Sequence, residues 1–318
     1  MRFAIRIAGT AFAAVLVAAC SAGASPSPTP TETTAPSIAP SVSVETTPSP
    51  TADACAKDKL TLVTPGKLTA GTDNPAYSPY FLPRDGGNKP PWDTEFSGDP
   101  TTGTGFESAI AYAVADRLGF TNDEVAWTAV KFDTSYAPGP KPFDFYLAQV
   151  SYKPERAQAA DLSDGYYFLN QSLVATGGTA IAAAKSIADL ASYQFGAQAG
   201  TTSYDTIVNV IKPTKEPRVY DSNDAAITAL NNKQIDGLVV DLPTAFYVTA
   251  AQMDNGVIVG QFPPTGGEQE HFSLVLAKGS ALTACVNGAL AAMKADGSLG
   301  AITREWMSDK ASAPVIEP

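Results

Sequence analysis

The sequence predicts an α/β body of two lobes carried behind an export signal and a spacer without a core of its own. Three observations predict it. From about Ala56 to Lys310 short apolar runs alternate with amphipathic segments, the pattern of helices packed on sheets. Residues 21 to 54 are dominated by Ser, Thr and Pro, with too few apolar side chains to offset the entropy of ordering them. Residues 1 to 19 run from a basic start (Arg2, Arg6) through an apolar stretch to small residues, the layout of a secretory signal.

The apolar stretch, Ile7 to Val17, is too short for a spanning helix, which needs about 20 apolar residues. Val17-Ala18-Ala19-Cys20 resembles the lipobox of bacterial lipoproteins. That resemblance implies removal of residues 1–19 and a diacylglyceryl group on Cys20, which anchors the chain at the extracellular face of the cell membrane. The alternative is a plain secretory signal cut nearby. Residues 20–54 then serve as a tether that gives the body reach. With Cys20 lipidated, Cys55 and Cys285 remain as an even pair in an oxidising compartment, and a disulfide is the economical reading; two unpaired buried thiols are the other.

Charge narrows the partners. Lys and Arg total 21 against 32 Asp and Glu, a net charge of −11 at pH 7, which argues against nucleic acid. One His and three scattered Cys argue against most metal sites, and no cofactor motif is present.

Within the body, Lys67–Thr72 reads as a first strand, and Phe106–Leu118 as a helix with Phe106, Ile110, Val114 and Leu118 on one face. Phe143–Ser151 is a weakly patterned strand. Gln194–Gln198 opens a second strand set, followed by Gly200-Thr201-Thr202 and a helix carrying Tyr204, Ile207, Val208 and Ile211. Ile235–Val240 is a further strand with Asp241 at its carboxyl end. Asp73, Ser151, Gly200–Thr202 and Asp241 all follow strand ends, where open α/β sheets bind ligands.

The stretch from Ser151 to Tyr167, reading SYKPERAQAADLSDGYY, resembles the "T-I-T-x-E-R-x-x-x-x-D-F-S-x-x-Y-Y" signature of the family-3 solute-binding proteins of ABC importers. Gly71-Thr72-Asp73 with Tyr77-Ser78-Pro79-Tyr80, the Gly200-Thr201-Thr202 turn, and Ile235–Asp241 match in the same order, so the resemblance covers roughly Leu60 to Asp309. It implies a two-lobed periplasmic-binding-protein type II fold, each lobe a mixed sheet flanked by helices. Residues 55–171 and 274–318 form lobe 1, and 172–273 form the hinge segments and lobe 2, with hinges read at Asn170–Thr176 and Glu270–Leu276.

It also implies a function: a monomeric lipoprotein that captures an amino acid and delivers it to a membrane permease with a cytoplasmic ATPase. Arg156 would grip the α-carboxylate with its planar fork, and main-chain N–H groups near Thr202 would add donors. Asp241 would take the α-ammonium, and Ser151 would add its hydroxyl. Phe132 and Tyr77 would flank the ligand, Asp73 would meet its side chain, and Gln198 could read a polar one, so a polar amino acid is preferred. Competing local roles exist: Thr202 and Asp241 both suit helix N-caps, Arg156 a surface ion pair, and Phe132 and Tyr77 ordinary core packing.

The chain departs from the pattern in three places. Gln149 stands where a small residue is usual. The short helix after Phe132 looks replaced by the proline-rich 135–142. The loop Pro83–Trp92 is an extension without an assigned purpose. The rival class is an enzyme on the same scaffold, dehydratase-like or cell-wall lytic. Catalysis is not expected, because the single His271 falls in a hinge segment, the acids Asp221 and Asp224 read as solvated, and no nucleophile or zinc motif occurs.

Overall fold

The computed structural model describes residues 54–263, 269–307 and 313–317. The expected signal peptide, Cys20 and all but the end of the expected tether lie outside the described residues. In chain order the strands are β1 (Leu68–Thr72), β2 (Val125–Ala129), β3 (Phe145–Tyr146), β4 (Asp161–Leu162), β5 (Tyr167–Phe168), β6 (Gln171–Thr176), β7 (Phe195–Gln198), β8 (Arg218–Tyr220), β9 (Gly237–Asp241), β10 (Gly256–Gln261), β11 (His271–Phe272) and β12 (Val275–Leu276). The helices are α1 (Phe106–Arg117), α2 (Phe132–Ser135), α3 (Pro154–Ala159), α4 (Thr202–Thr206), α5 (Asn223–Asn231), α6 (Leu242–Tyr247), α7 (Leu282–Ala295) and α8 (Ser298–Met307).

Two five-stranded mixed sheets organise these elements. The first runs β2-β1-β3-β12-β4, with β1 parallel to β2 and β3, and β12 antiparallel to β3 and β4. All of β1 is buried, as expected of a strand covered on both faces. Gly71 is required there: a Cβ would lie 2.9 Å from the Tyr146 ring and 3.0 Å from that of Phe143. Helix α7 buries Leu282, Cys285, Val286, Ala289, Leu290 and Met293, a stripe at helical spacing that joins α1 and Phe272 in the first core. The expected disulfide is formed between Cys55 and Cys285, with Cα atoms 5.4 Å apart.

The second sheet runs β10-β6-β9-β7-β8. Its side chains alternate between two cores: Leu173 and Val239 enter one with Phe195 and Ile207, while Val174, Leu238 and Val240 enter the other with Ile227 and Leu230. The helix after Thr202 is α-helical to Thr206 and a π-turn from Ile207 to Ile211, so that Ile207 and Ile211 are buried and Val208 is exposed.

The chain crosses from the first sheet to the second just before β6 and returns just before β11. The two crossings are tied together: β5 pairs with β11, the Leu169 amide donates to the Glu270 carbonyl at 3.1 Å, and that of Phe262 to Gln171 at 2.8 Å. Asn170–Thr176 is thus mostly strand within the second sheet.

Two further expectations change. Helix α2 does form, and the proline-rich segment only prevents its extension beyond Ser135. The last residues leave the first lobe: Val315 pairs with Gln261, Glu317 with Ser186, and Ile316 is buried in the core of the second sheet. An apolar residue near a chain end, here Ile316, is stabilised by whichever core has room for it.

Candidate functional site

All eight residues expected to contact ligand, Asp73, Tyr77, Phe132, Ser151, Arg156, Gln198, Thr202 and Asp241, line one cleft between the two sheets. Asp73 follows β1, Gln198 ends β7 and Asp241 ends β9, so strand ends supply the polar groups.

Pro154 opens α3 at a position where its missing N–H costs nothing, and the helix carries Arg156 inward until the residue is 4% exposed. Its Nη1 donates to the Ser151 carbonyl at 2.5 Å and its Nη2 to the Gly200 carbonyl at 2.8 Å, the latter from the second lobe. The guanidinium carbon stands 5.3 Å from the Phe132 ring centre and 4.6 Å from that of Tyr136. Phe132 therefore stacks on the arginine while also lining the cleft. Nε is buried and has no partner among the described residues. Burial lowers the Arg156 pKa, against Tyr136, Asp205 and Asp241, which raise it, and a guanidinium stays protonated. Gly200 is left-handed, with φ 72°, and a Cβ there would lie 2.9 Å from the Tyr136 hydroxyl, so glycine is needed twice over.

The two competing helix caps resolve differently. Thr201 caps α4, accepting from the Tyr204 amide at 3.2 Å, which leaves the Thr202 hydroxyl for the cleft. Asp241 precedes α6 but makes no side-chain cap bond. Its carboxylate accepts instead from the Gln171 side-chain amide at 2.6 Å. That same nitrogen lies 3.1 and 3.2 Å from the Glu270 carboxylate oxygens and 3.2 Å from the Thr202 hydroxyl. Ser151 Oγ donates to Glu270 at 2.6 Å. Burial drives the Asp241 carboxyl well above its ordinary value and Glu270 adds to this, while Gln171 and Arg156 pull it down. A cation placed beside Asp241 would relieve that cost.

Gln171 and Glu270 were missed by sequence reasoning. A glutamine opening a strand whose middle, Leu173–Ala175, is apolar was the available signal for the first. Glu270 had none beyond its place in a crossing segment. His271 is buried on β11, stacked on Tyr152 at 5.5 Å. Asp224, read as solvated, is half-buried on α5 beside Tyr77, whose phenol is pushed well up by burial and then by that carboxylate.

The Pro83–Trp92 extension acquires a structural role. Trp92 is buried and its Nε1 donates to the Asp73 carbonyl at 3.1 Å; Asn74 Nδ2 donates to the Pro91 carbonyl at 2.8 Å. Just beyond it, Ser97 Oγ accepts from the Ala76 amide at 3.0 Å, and Arg84 pairs with the buried Asp99 at 2.7 Å. The extension thus braces the loop that carries Asp73 and Tyr77. Asp73 itself accepts from the amides of Asn74 at 2.7 Å and Phe132 at 3.3 Å. Trp92→Phe keeps the ring but strands the Asp73 carbonyl, and should lower unfolding stability by about 2 kcal/mol in urea. Unchanged stability would show the brace to be idle.

Behind the cleft, Glu107 on α1 is fully buried and accepts from the Gln149 amide at 2.7 Å, from the Gln149 side-chain nitrogen, and from the Tyr166 hydroxyl. Burial pushes its carboxyl up from 4.5 to about 7 against the Tyr166 and Gln149 hydrogen bonds. The folded chain therefore keeps a proton that the unfolded chain has already released. This group's stabilisation is full below pH 4.5 and is lost as the pH rises to about 7, roughly 3 kcal/mol in all. Glu107→Gln does not titrate. Urea unfolding at pH 5 and pH 8 should show the wild type losing about 2 kcal/mol relative to the variant at the higher pH; a constant difference would place the carboxyl in its ordinary range.

Contacts also join the lobes across the cleft: Lys153 with Asp205 at 2.5 Å, and the Tyr80 hydroxyl with that of Thr244 at 3.1 Å.

The two-sheet architecture with a polar interlobe cleft is that of the type II periplasmic binding proteins, and solved structures of that class superpose on this chain. Residues 86–309 match the family described as bacterial extracellular solute-binding proteins, family 3, and the chain belongs to it. It is similar to the L-cystine-binding protein TcyJ of Escherichia coli (strain K12), 28% identical over 223 residues that cover 69% of this chain and 79% of that protein. An ancestral arginine-binding protein bound to glutamine is 26% identical, with a TM-score of 0.62, covering 77% of this chain and 100% of the other. An ancestral amino acid-binding protein, a precursor of cyclohexadienyl dehydratase, is also 26% identical, with a TM-score of 0.59 over 76% of this chain and 95% of the other. These relatives are amino-acid-binding proteins. Among the described residues no helix is long and apolar enough to cross a membrane.

Proposed function

We propose that this chain is the lipid-anchored receptor of an ABC importer, which captures a free, preferably polar, amino acid outside the cell and delivers it to the permease. One observation carries the reading: a buried guanidinium and a half-buried carboxylate, Arg156 of the first lobe and Asp241 of the second, line the same cleft. An amino acid brings one opposite charge to each, so neither ion is left unpaired once water is excluded. The α-carboxylate takes Arg156 with the Thr202 region, and the α-ammonium takes Asp241 with Ser151 and Glu270 close by. The space within the cleft is about 40 Å³, with bonds drawn across it, so entry requires the lobes to part. Residues 55–171 and 274–307 then act as one half and residues 172–273, hinge segments included, as the other, and the receptor works as a monomer.

Titration calorimetry of the purified body against free amino acids and cystine tests this. Binding of at least one of them is expected, with no turnover. If none binds, and the protein instead converts a prephenate-like or glycan substrate, the enzyme reading replaces this one. The anchor is tested separately: Cys20→Ala should move the protein from the membrane to the medium.

A further inference from the structure

Gln149 lines the cleft with Ala148 and Ser151, and its backbone is left-handed, with φ 54°. Glycine adopts that conformation freely, whereas a residue with a Cβ is strained there, and strain at a site points to the side chain being retained for a purpose. The side chain is fixed from behind by Glu107, which takes both the main-chain N–H and the amide nitrogen of Gln149. In the structure the amide turns its nitrogen inward, donating to Glu107 Oε2. Its oxygen, Oε1, is then turned away from that carboxylate, and no hydrogen bond to it is made among the described residues. Asp73 lines the same cleft with both oxygens already oriented by main-chain amides. Such a wall offers acceptors. A ligand side chain ending in a carboxylate or in methyl groups would leave them unpaired, which costs more than a good bond gains.

We propose that Gln149 is a specificity-determining residue: with its amide nitrogen committed to Glu107, its carbonyl oxygen accepts a hydrogen bond from an N–H group at the far end of the bound amino acid. The favoured class is guanidinium, ammonium, imidazole or amide side chains, including the second ammonium of cystine, over acidic and apolar ones. Glu107 acts through Gln149 as a positioning residue. The inference rests on the receptor reading above and adds what that receptor selects.

The test is titration of arginine, lysine, histidine, glutamine, cystine, glutamate and leucine into wild type, Gln149→Gly and Gln149→Met. The glycine variant is relieved of the left-handed constraint but loses the amide that donates to buried Glu107, so its thermal unfolding is measured beside the wild type, and a cooperative transition well above the titration temperature shows that a loss of binding is not a loss of fold. Methionine fills a similar volume without the acceptor. In both variants the affinity for the wild type's best N–H-bearing ligand should fall about tenfold, and its preference over glutamate and leucine should narrow equally. A wild type that prefers glutamate or leucine overturns the inference, as do variants that keep affinity and preference within about twofold. Those results leave the receptor reading standing. A wild type that binds none of the panel overturns that reading and this inference together.

Discussion

Arg156→Ala should abolish amino acid binding, with affinity falling by about a thousandfold or beyond detection in calorimetry. The magnitude follows from burial. Removing one partner of a desolvated charge pair leaves the other uncompensated, typically at about 3–5 kcal/mol, and here that other partner is the ligand carboxylate. Two protein carbonyls, those of Ser151 and Gly200, also lose their donor, and the Gly200 bond is one that draws the lobes together. Arg156→Lys should restore little. An ammonium cannot serve two carbonyls and a carboxylate in the planar arrangement that the Phe132 and Tyr136 rings impose. Binding within about threefold of wild type in the alanine variant would refute the zwitterion clamp.

Replacing both Cys55 and Cys285 by serine should produce the largest loss of stability. The bond spans a sequence separation of 230 residues, and the chain-entropy expression gives an upper figure of about 5 kcal/mol for so long a loop. A few kcal/mol is a large share of a domain's net stability, so the midpoint of thermal unfolding should fall by roughly 10 °C. Ligand affinity should change little, since neither cysteine lines the cleft. A double variant as stable as the wild type would mean that the unfolded chain is already held together by other means.

What was legible in the sequence was local. The Ser151–Tyr167 signature placed Arg156 because a proline-opened helix and its arginine lie close together in the chain. The continuous apolar run Leu238–Val240 marked a doubly covered strand with the acid Asp241 at its end. What was not legible depends on partners far apart in sequence. Nothing around Glu107 shows that it will be buried against Gln149, 42 residues away, since an acid in the first turn of a helix usually lies in solvent. Gln171 reads as a strand residue until the fold brings Asp241 and Glu270, 70 and 99 residues on, to its amide. The extension and the Ile316 tail were unreadable for the same reason, as their purpose is a distant neighbour: the Asp73 carbonyl in one case and the second core in the other.

The position of Cys55 decides how the molecule bears load. It is the first cysteine after the Ser/Thr/Pro segment, and its sulfur is bonded to Cys285 in the buried stripe of α7. On the proposed anchoring at Cys20, a pull on the N-terminal residues would reach the body at Cys55 and pass through two sulfur atoms into that helix. That path bypasses the strand leading to Asp73, so tension on the proposed anchor would leave the cleft residues undisturbed.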